Sequence, residues 1–300
     1  MSFIKRRQIV QGLGGAIAVL TLSRITRSPW NIQAIAQAPP RKLALLIGIN
    51  QYTAPLAPLR GCVNDVEIQA RLLCDRYGFL PQDILILTDE NATREGIVTA
   101  INEHLVQQAQ PGDVVVLHFS GHATVMPYPA CDSAEDCSMG VLMPTNSSLQ
   151  TRQSQGNTTN SEIDNGITRA DLEALLSPLA TEKLTVVLDT DSAVSFARSD
   201  SFVKGVLLAG AMANQSAAEI NFEGMTVGAF TYSLTQYLWQ QSGDISIAEV
   251  MDRVAEATRL QSESSRLLQT PTWIAQPEGN LGQQPVYFVV PTASPRDGNR

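Results

Sequence analysis

The hydrophobic positions of the chain fall into short runs with two distinct periods. Leu43-Ala44-Leu45-Leu46-Ile47-Gly48-Ile49 is continuous, of strand length, and stopped by Asn50. That is the pattern of a strand buried on both faces. From Val63 to Tyr77 apolar residues recur at 63, 66, 70, 73 and 77, near helical spacing, and Gly78 ends the helix. Ile84–Leu87 predicts a second strand, Thr93 opens a helix reaching about Gln108, and Val114–Leu117 predicts a third strand. Strands alternating with helices of this length imply right-handed crossovers and a mainly parallel sheet.

The rhythm breaks between Thr124 and Gly166, a stretch rich in Ser, Thr, Asn, Asp and Pro. The expectation there is a long loop, of the kind that is usually functional or mobile. Beyond it the pattern predicts a helix over Thr168–Leu176, strands over Leu184–Leu188 and Gly205–Ala211, and helices over Val227–Trp239 and Ile247–Ala257. Val286–Val290 reads as the last strand, and the tail 291–300 as disordered. The sum is one α/β sandwich of about six mainly parallel strands flanked by helices, with no internal repeat and no linker marking a second domain.

The first 36 residues stand apart. They carry Lys5, Arg6, Arg7, Arg24 and Arg27, no acid, and the apolar stretch Leu13–Leu22, too short to span a bilayer. With small residues at Ala34-Ile35-Ala36 this reads as an export signal, and Arg6-Arg7 makes it similar to a twin-arginine signal. The alternative is a basic amphipathic tail. Residues 37–42 form a short linker. The expected location is periplasmic or extracellular, or at the membrane surface if the signal is retained. No transmembrane domain is expected in the mature chain.

Composition narrows the function. The 300 residues carry 29 acids against 21 bases, a formal charge of −8. Removing residues 1–36 leaves 16 bases against 29 acids, or −13. Such a chain is a poor binder of nucleic acid. Four cysteines in 300 residues exclude a disulfide-dense scaffold. Export would permit a pairing of Cys131 with Cys137.

In open parallel sheets, ligands bind at the carboxyl ends of the strands. After the first strand comes Arg60-Gly61-Cys62-Val63-Asn64-Asp65. After the third comes Phe119-Ser120-Gly121-His122-Ala123, and after the strand at 184–188 comes Asp189-Thr190-Asp191-Ser192. A histidine just past a glycine at a strand end is placed like a general base, although such a residue is often only a loop histidine satisfied locally. Asp65 has its own simple reading, a first-turn acid favoured by the helix dipole.

Several ordered motifs carry a resemblance. Ala44–Asn50, Leu59–Val66, Leu87-Thr88-Asp89, Pro111-Gly112-Asp113 and His118-Phe119-Ser120-Gly121-His122 resemble the large-subunit part of the caspase-like peptidases, nearest the metacaspases of prokaryotic type. Gly205–Glu219, with Asn214-Gln215-Ser216-Ala217-Ala218-Glu219, and Gly228-Ala229-Phe230-Thr231-Tyr232 resemble the small-subunit part. The likeness runs from about Leu43 to Val290, with 43–190 large-subunit-like and 200–290 small-subunit-like. The loop 124–166 is poorly matched. The resemblance implies a caspase-like three-layer sandwich and a Cys–His dyad cleaving after Arg or Lys. It puts His122 in the place of the dyad histidine. Asp65 and Asp189 stand for the two carboxylates of the primary specificity pocket, with Ser120 as the pocket serine. Paired acids suit a guanidinium or ammonium group, which takes charge-assisted acceptors.

The sequence departs from that family at the nucleophile. The family pattern after the fourth strand reads Asp, any residue, Cys, His, Ser, Gly; this chain reads Asp189-Thr190-Asp191-Ser192-Ala193-Val194. Asp191 takes the cysteine's place. A thiolate attacks an amide and leaves a readily hydrolysed thioester, whereas a carboxylate would have to form a high-energy anhydride. Beside His122 it would form an ion pair that raises the histidine's pKa. The alternative thiol, Cys62, lies near the pocket by analogy, against its plain reading as a small buried residue at a helix start. An aspartic-protease pair from Asp189 and Asp191 is not ensured by their spacing.

The resemblance also implies stimulation by calcium. Asp132, Glu135 and Asp136 offer oxygen ligands of the right kind, with Glu162 and Asp164 further on, unless they are simply solvated loop acids. No cofactor is required. The expected function is that of an exported metacaspase-like pseudopeptidase holding basic peptides or proteins in an acidic pocket. Its rivals are an active Arg/Lys-directed endopeptidase using Cys62, and a scaffold whose cleft is vestigial.

Overall fold

The structure is a computed structural model and describes residues 39–127, 138–153, 159–197, 204–277 and 279–292. In chain order it comprises β1 (Lys42–Gly48), α1 (Cys62–Tyr77), β2 (Ile84–Thr88), α2 (Arg94–Ala100, continued by a π turn over Ile101–Val106) and β3 (Val114–Ser120). There follow β4 (Ala123–Pro127), β5 (Ser138–Leu142), β6 (Ser148–Gln153), β7 (Thr159–Asp164), β8 (Ile167–Thr168), α3 (Arg169–Leu176) and β9 (Leu184–Asp189). The remainder is β10 (Gly205–Ala209), β11 (Glu219–Phe222), β12 (Met225–Gly228), α4 (Ala229–Gln240), α5 (Ile247–Glu263) and β13 (Thr272–Gln276).

The main sheet has six strands in the order β13-β10-β9-β3-β1-β2. Five run parallel, and β13 pairs antiparallel with β10 at one edge. The continuous apolar runs have the predicted cause. All seven residues of β3 and all six of β9 are buried, as are six of the seven in β1. Alternate residues face opposite layers. Leu43, Leu45 and Ile47 pack with Ile97, Ile101, Leu172 and Leu176, while Ala44 and Leu46 pack with Val66, Leu72, Phe230 and Val250. Each fully buried Leu or Val contributes about 2 kcal/mol. The sheet therefore lies between α2 and α3 on one side and α1, α4 and α5 on the other, the three-layer α/β sandwich expected. No helix among the described residues is long and apolar enough to cross a membrane.

Local signals set the helix starts. Thr93 Oγ1 accepts from the Gly96 N–H, and Thr168 and Asp171 form a reciprocal capping box. Gly78 ends α1 at φ 64°, a conformation that favours glycine.

Five expectations need correction. The stretch 124–166 is not a plain loop, since β4, β5 and β8 form one small antiparallel sheet and β6 and β7 a two-stranded ribbon. Its polar composition hid the short apolar segments, such as Met139–Leu142 and Ile167, that are buried in the core. The helix expected from Val227 begins at Ala229, because Met225–Gly228 pair with Glu219–Phe222 as a hairpin. The strand expected to Ala211 ends at Ala209, and α5 runs on to Glu263. Val286–Val290 is not a strand. Val286–Phe288 forms a 3-10 turn with Tyr287 and Phe288 at φ 59° and 53°, and the last strand is β13.

The strand order reverses around β1, whose neighbours β2 and β3 lie on opposite sides. Such a switch point opens a crevice at the carboxyl ends of β1 and β3. The loop before α1, the end of β3 and the end of β9 all deliver polar residues there.

Candidate functional site

The site is built around two buried carboxylates. Asp65, in the first turn of α1, is 1% exposed, and Asp189, the last residue of β9, is 4% exposed. Asp65 Oδ2 accepts from Ser120 Oγ at 2.6 Å and Oδ1 from the Gly228 N–H at 2.8 Å. Asp189 Oδ2 accepts from the Thr231 N–H at 2.9 Å and Thr231 Oγ1 at 2.7 Å. Asp189 Oδ1 is buried with no hydrogen-bond partner. The first-turn position of Asp65 is thus real, but its carboxyl is taken by Ser120 and Gly228 rather than serving as a solvated end of the helix dipole.

Gly228 lies between the two acids. A Cβ there would fall 2.2 Å from Asp189 Oδ2 and 2.9 Å from Asp65 Oδ2, so any side chain would clash with both carboxylates. Burial, then the Asp189 charge, pushes Asp65 well above the ordinary carboxylate range against its two hydrogen bonds. Burial also raises Asp189, to about 6, with the charges of Asp191 and Glu219 adding to it and the Thr231 bonds opposing.

His122 follows two residues after β3. Its Nε2 lies 2.8 Å from the Ala57 carbonyl oxygen, and its Nδ1 is 3.8 Å from Asp191 Oδ2. Both ring nitrogens face acceptors, which favours the imidazolium. Burial pulls its pKa down, but Asp191, the Ala57 carbonyl and the Glu219 charge outweigh that and leave it raised. The ring is held by Tyr52, 4.7 Å away at 57°, whose hydroxyl accepts from the His122 N–H at 3.0 Å and donates to the Met143 carbonyl at 2.9 Å. The second Asp191 oxygen accepts from the Ala217 N–H at 2.9 Å.

Cys62 is brought to the same region, at the start of α1, but it is 5% exposed. Burial, then the charge of Asp65, pushes its thiol well up, away from the thiolate a nucleophile needs. Asp132, Glu135, Asp136, Cys131 and Cys137 lie outside the described residues. Glu162 belongs to β7 and Asp164 ends it, exposed. Among the described residues no group of three or more His, Cys, Asp or Glu could hold a metal ion.

Glu219, Gly228, Thr231 and Tyr52 were not singled out as site residues from the sequence. Glu219 Oε1 accepts from the Arg60 N–H at 2.7 Å and the Gly61 N–H at 2.5 Å, clamping the loop before α1. The signal for three of them was present, since Asn214–Glu219 and Gly228–Tyr232 each stood out as a motif. Nothing in the local pattern marked Tyr52.

A family model described as metacaspase, peptidase C14 domain matches residues 42–196, just over half of the chain. The chain belongs to the metacaspase family. Metacaspase-4 of Arabidopsis thaliana is 44% identical over 104 residues, 33% of this chain and 24% of that protein. Metacaspase-1B of Aspergillus fumigatus is 46% identical over 87 residues, 27% of this chain and 21% of that one. The matched stretch thus spans about a quarter of these metacaspases. A solved structure of a Geobacter sulfurreducens protein superimposes with a TM-score of 0.58 over 84% of this chain and all of the other, at 19% identity, which is a likeness of fold.

Proposed function

We propose that this metacaspase-family protein is a pseudopeptidase. It holds basic side chains of peptides or proteins in the pocket of Asp65, Ser120 and Asp189 without cutting the chain. The observation that carries this reading is the His122–Asp191 pair. Asp191, which the resemblance puts in the place of the family's thiol, lies with Oδ2 3.8 Å from His122 Nδ1, and its charge helps raise the histidine's pKa. A raised pKa favours the protonated ring, which is the form that does not take a nucleophile's proton. Pocket chemistry supports the rest. Asp189 Oδ1 is buried without a partner, and a guanidinium or ammonium group would satisfy it. The basic, acid-free segment 1–36 supports export of the chain.

Proteolysis through Cys62 is the second reading, and the raised pKa of its buried thiol weighs against it. The test is to assay the chain on Arg- and Lys-directed peptide substrates with and without calcium, beside Asp191→Cys and Cys62→Ala, and to measure binding of the same peptides. The expected result is binding without turnover. Turnover by the unaltered chain that Cys62→Ala abolishes would overturn the proposal. Neither turnover nor binding would leave only a scaffold.

A further inference from the structure

The six-stranded sheet has two edges, and they are finished differently. β13 is bounded by Pro271 and Pro277, residues that cannot donate to a ladder. β2 carries no such guard. Its sequence is Ile84-Leu85-Ile86-Leu87-Thr88, without Lys or Pro, and its register against β1 runs unbroken through all five residues, so no bulge bends it away. β2 pairs with β1 alone, and alternate residues turn their N–H and C=O groups outward with no partner strand. An apolar edge of this kind is a ready template for a further strand.

The two faces of that edge differ. Leu85 and Leu87 pack with the α2 layer and floor a groove of about 510 Å³, walled by Thr99 and Ala100 and rimmed by the exposed acids Glu95 and Glu103. Ile86, on the opposite face, is 41% exposed. Arg41 reaches Gln108 at the groove's end but is paired with Asp83 at 2.5 Å. His104 Nε2 is held by the Ala44 and Asp83 carbonyl oxygens. Glu95 Oε2 accepts from Asn146 Nδ2 at 3.1 Å, and the Glu103 carboxylate has no partner among the described residues. Both acids therefore remain open to a cation from outside. Glu103 follows Glu95 by eight residues, about 12 Å along a helix. Side chains four residues apart on one face of an extended strand are about 13 Å apart.

We propose that the β2 edge docks an extended segment of another protein, which joins the sheet as a seventh strand and carries two basic residues four positions apart. Their stems lie over Leu85 and Leu87 and their charges reach Glu95 and Glu103, while the alternate, apolar residues meet Ile86. Main-chain hydrogen bonds to β2 supply affinity, and the two acids choose the partner. A second copy paired antiparallel through β2 would set the same acids beside these, like charge to like. The edge is separate from the Asp65–Asp189 pocket, and the proposal does not rest on that pocket's reading.

The probe is the acetylated, amidated peptide Thr-Lys-Val-Thr-Val-Lys-Thr, with a twin in which both lysines are glutamate. Titrated against the full chain at pH 7, the lysine peptide should bind at least tenfold more tightly than its twin. At saturation, hydrogen exchange at the outward amides of β2 should slow at least fivefold. In the double variant Glu95→Lys, Glu103→Lys, two exposed changes, the preference between the peptides should reverse. Failure to bind the lysine peptide overturns the proposal. Binding that leaves the β2 amides unprotected puts the peptide elsewhere and also overturns it, as does a preference that survives the double variant. Protection of β2 without peptide that disappears on dilution assigns the edge to a second copy and overturns the proposed partner. None of these results bears on the pocket, which the Arg- and Lys-directed substrates test.

Discussion

His118 and His122 lie four residues apart, one inside β3 and one just past its end, and they occupy opposite media. His118 is fully buried, in register with Leu46 on β1 and Val187 on β9, and neither ring nitrogen has a hydrogen-bond partner. Burial alone pushes its pKa down to about 3, so it is a neutral ring used as packing. His122 meets a carbonyl on one side and a carboxylate on the other and is pushed the opposite way. Within the sheet there is no loop to bring a polar partner. At the strand ends the loops after β1, β3 and β9 converge, and a histidine acquires chemistry from them. The neighbours, not the residue type, decide what each ring can do.

The strongest way to break this comparison is to put a charge at the inner position. His118→Glu would bury a carboxylate with no cation and no donor, and should destabilise the fold by about 4 kcal/mol or more, measured as a shift in urea midpoint. His118→Leu removes two unpartnered polar atoms and should be neutral to within about 1 kcal/mol, or stabilising. A large loss for His118→Leu would mean that the ring has a partner after all. The same pair of changes at His122, on the half-open rim, should leave the fold nearly intact while altering the state of Asp191.

A second test presses on the pocket itself. In Gly228→Ala the new methyl would lie 2.2 Å from Asp189 Oδ2. Crowding of that kind should destabilise by about 2 kcal/mol, and displacement of the two carboxylates should weaken basic-peptide binding at least 100-fold. Asp189→Asn separates the two effects. It removes a carboxyl whose pKa is raised to about 6, so the fold should become more stable at pH 7 while peptide binding is lost. An Asp189→Asn protein that is less stable than the parent at pH 7 would sink the view that the buried charge of Asp189 costs the fold stability.

The fold was legible where burial is two-sided. β1, β3 and β9 read as continuous apolar runs because both faces are covered, and Thr93 and Thr168 announced their helices. An apolar run cannot, however, say how its backbone turns. Val286–Val290 looked like a strand, yet Tyr287 is pinned by Gln69 Nε2 at 2.8 Å and by the edge of Tyr77 at 5.0 Å, partners more than 200 residues away in sequence. The real edge strand, Thr272–Gln276, is only half buried along its length and shows weak contrast. The site divides in the same manner. The strand-end rule pointed to the segments that hold Asp65, Ser120, Asp189 and His122, and the resemblance to metacaspases singled out those residues within them. Gly228 and Glu219 close the pocket from 163 and about 160 residues away, a pairing no local pattern reveals.

The finest test of the comparison is the pH dependence of the two rings. His118 is held below the ordinary value of 6.5, so as pH falls from 6.5 toward 3 the unfolded chain takes up a proton that the native chain refuses. The native state therefore loses stability on acidification through this residue, by about 2 kcal/mol at pH 5. His122 is raised, so its contribution is fully present below 6.5 and fades as pH climbs through its native pKa. Each is read as a difference from the parent protein, so that other titrating groups cancel. The advantage of His118→Leu should grow as pH is lowered from 7 to 5, while the deficit of His122→Leu should shrink, by a smaller amount, as pH is raised from 6 to 8. Ring-proton chemical shifts give the direct check. His122 should titrate above 6.5, and His118 should show no titration between pH 5 and 8. If the two resonances titrated together near 6.5, the contrast between strand interior and strand end would fail, and with it the reason for placing the chemistry at His122.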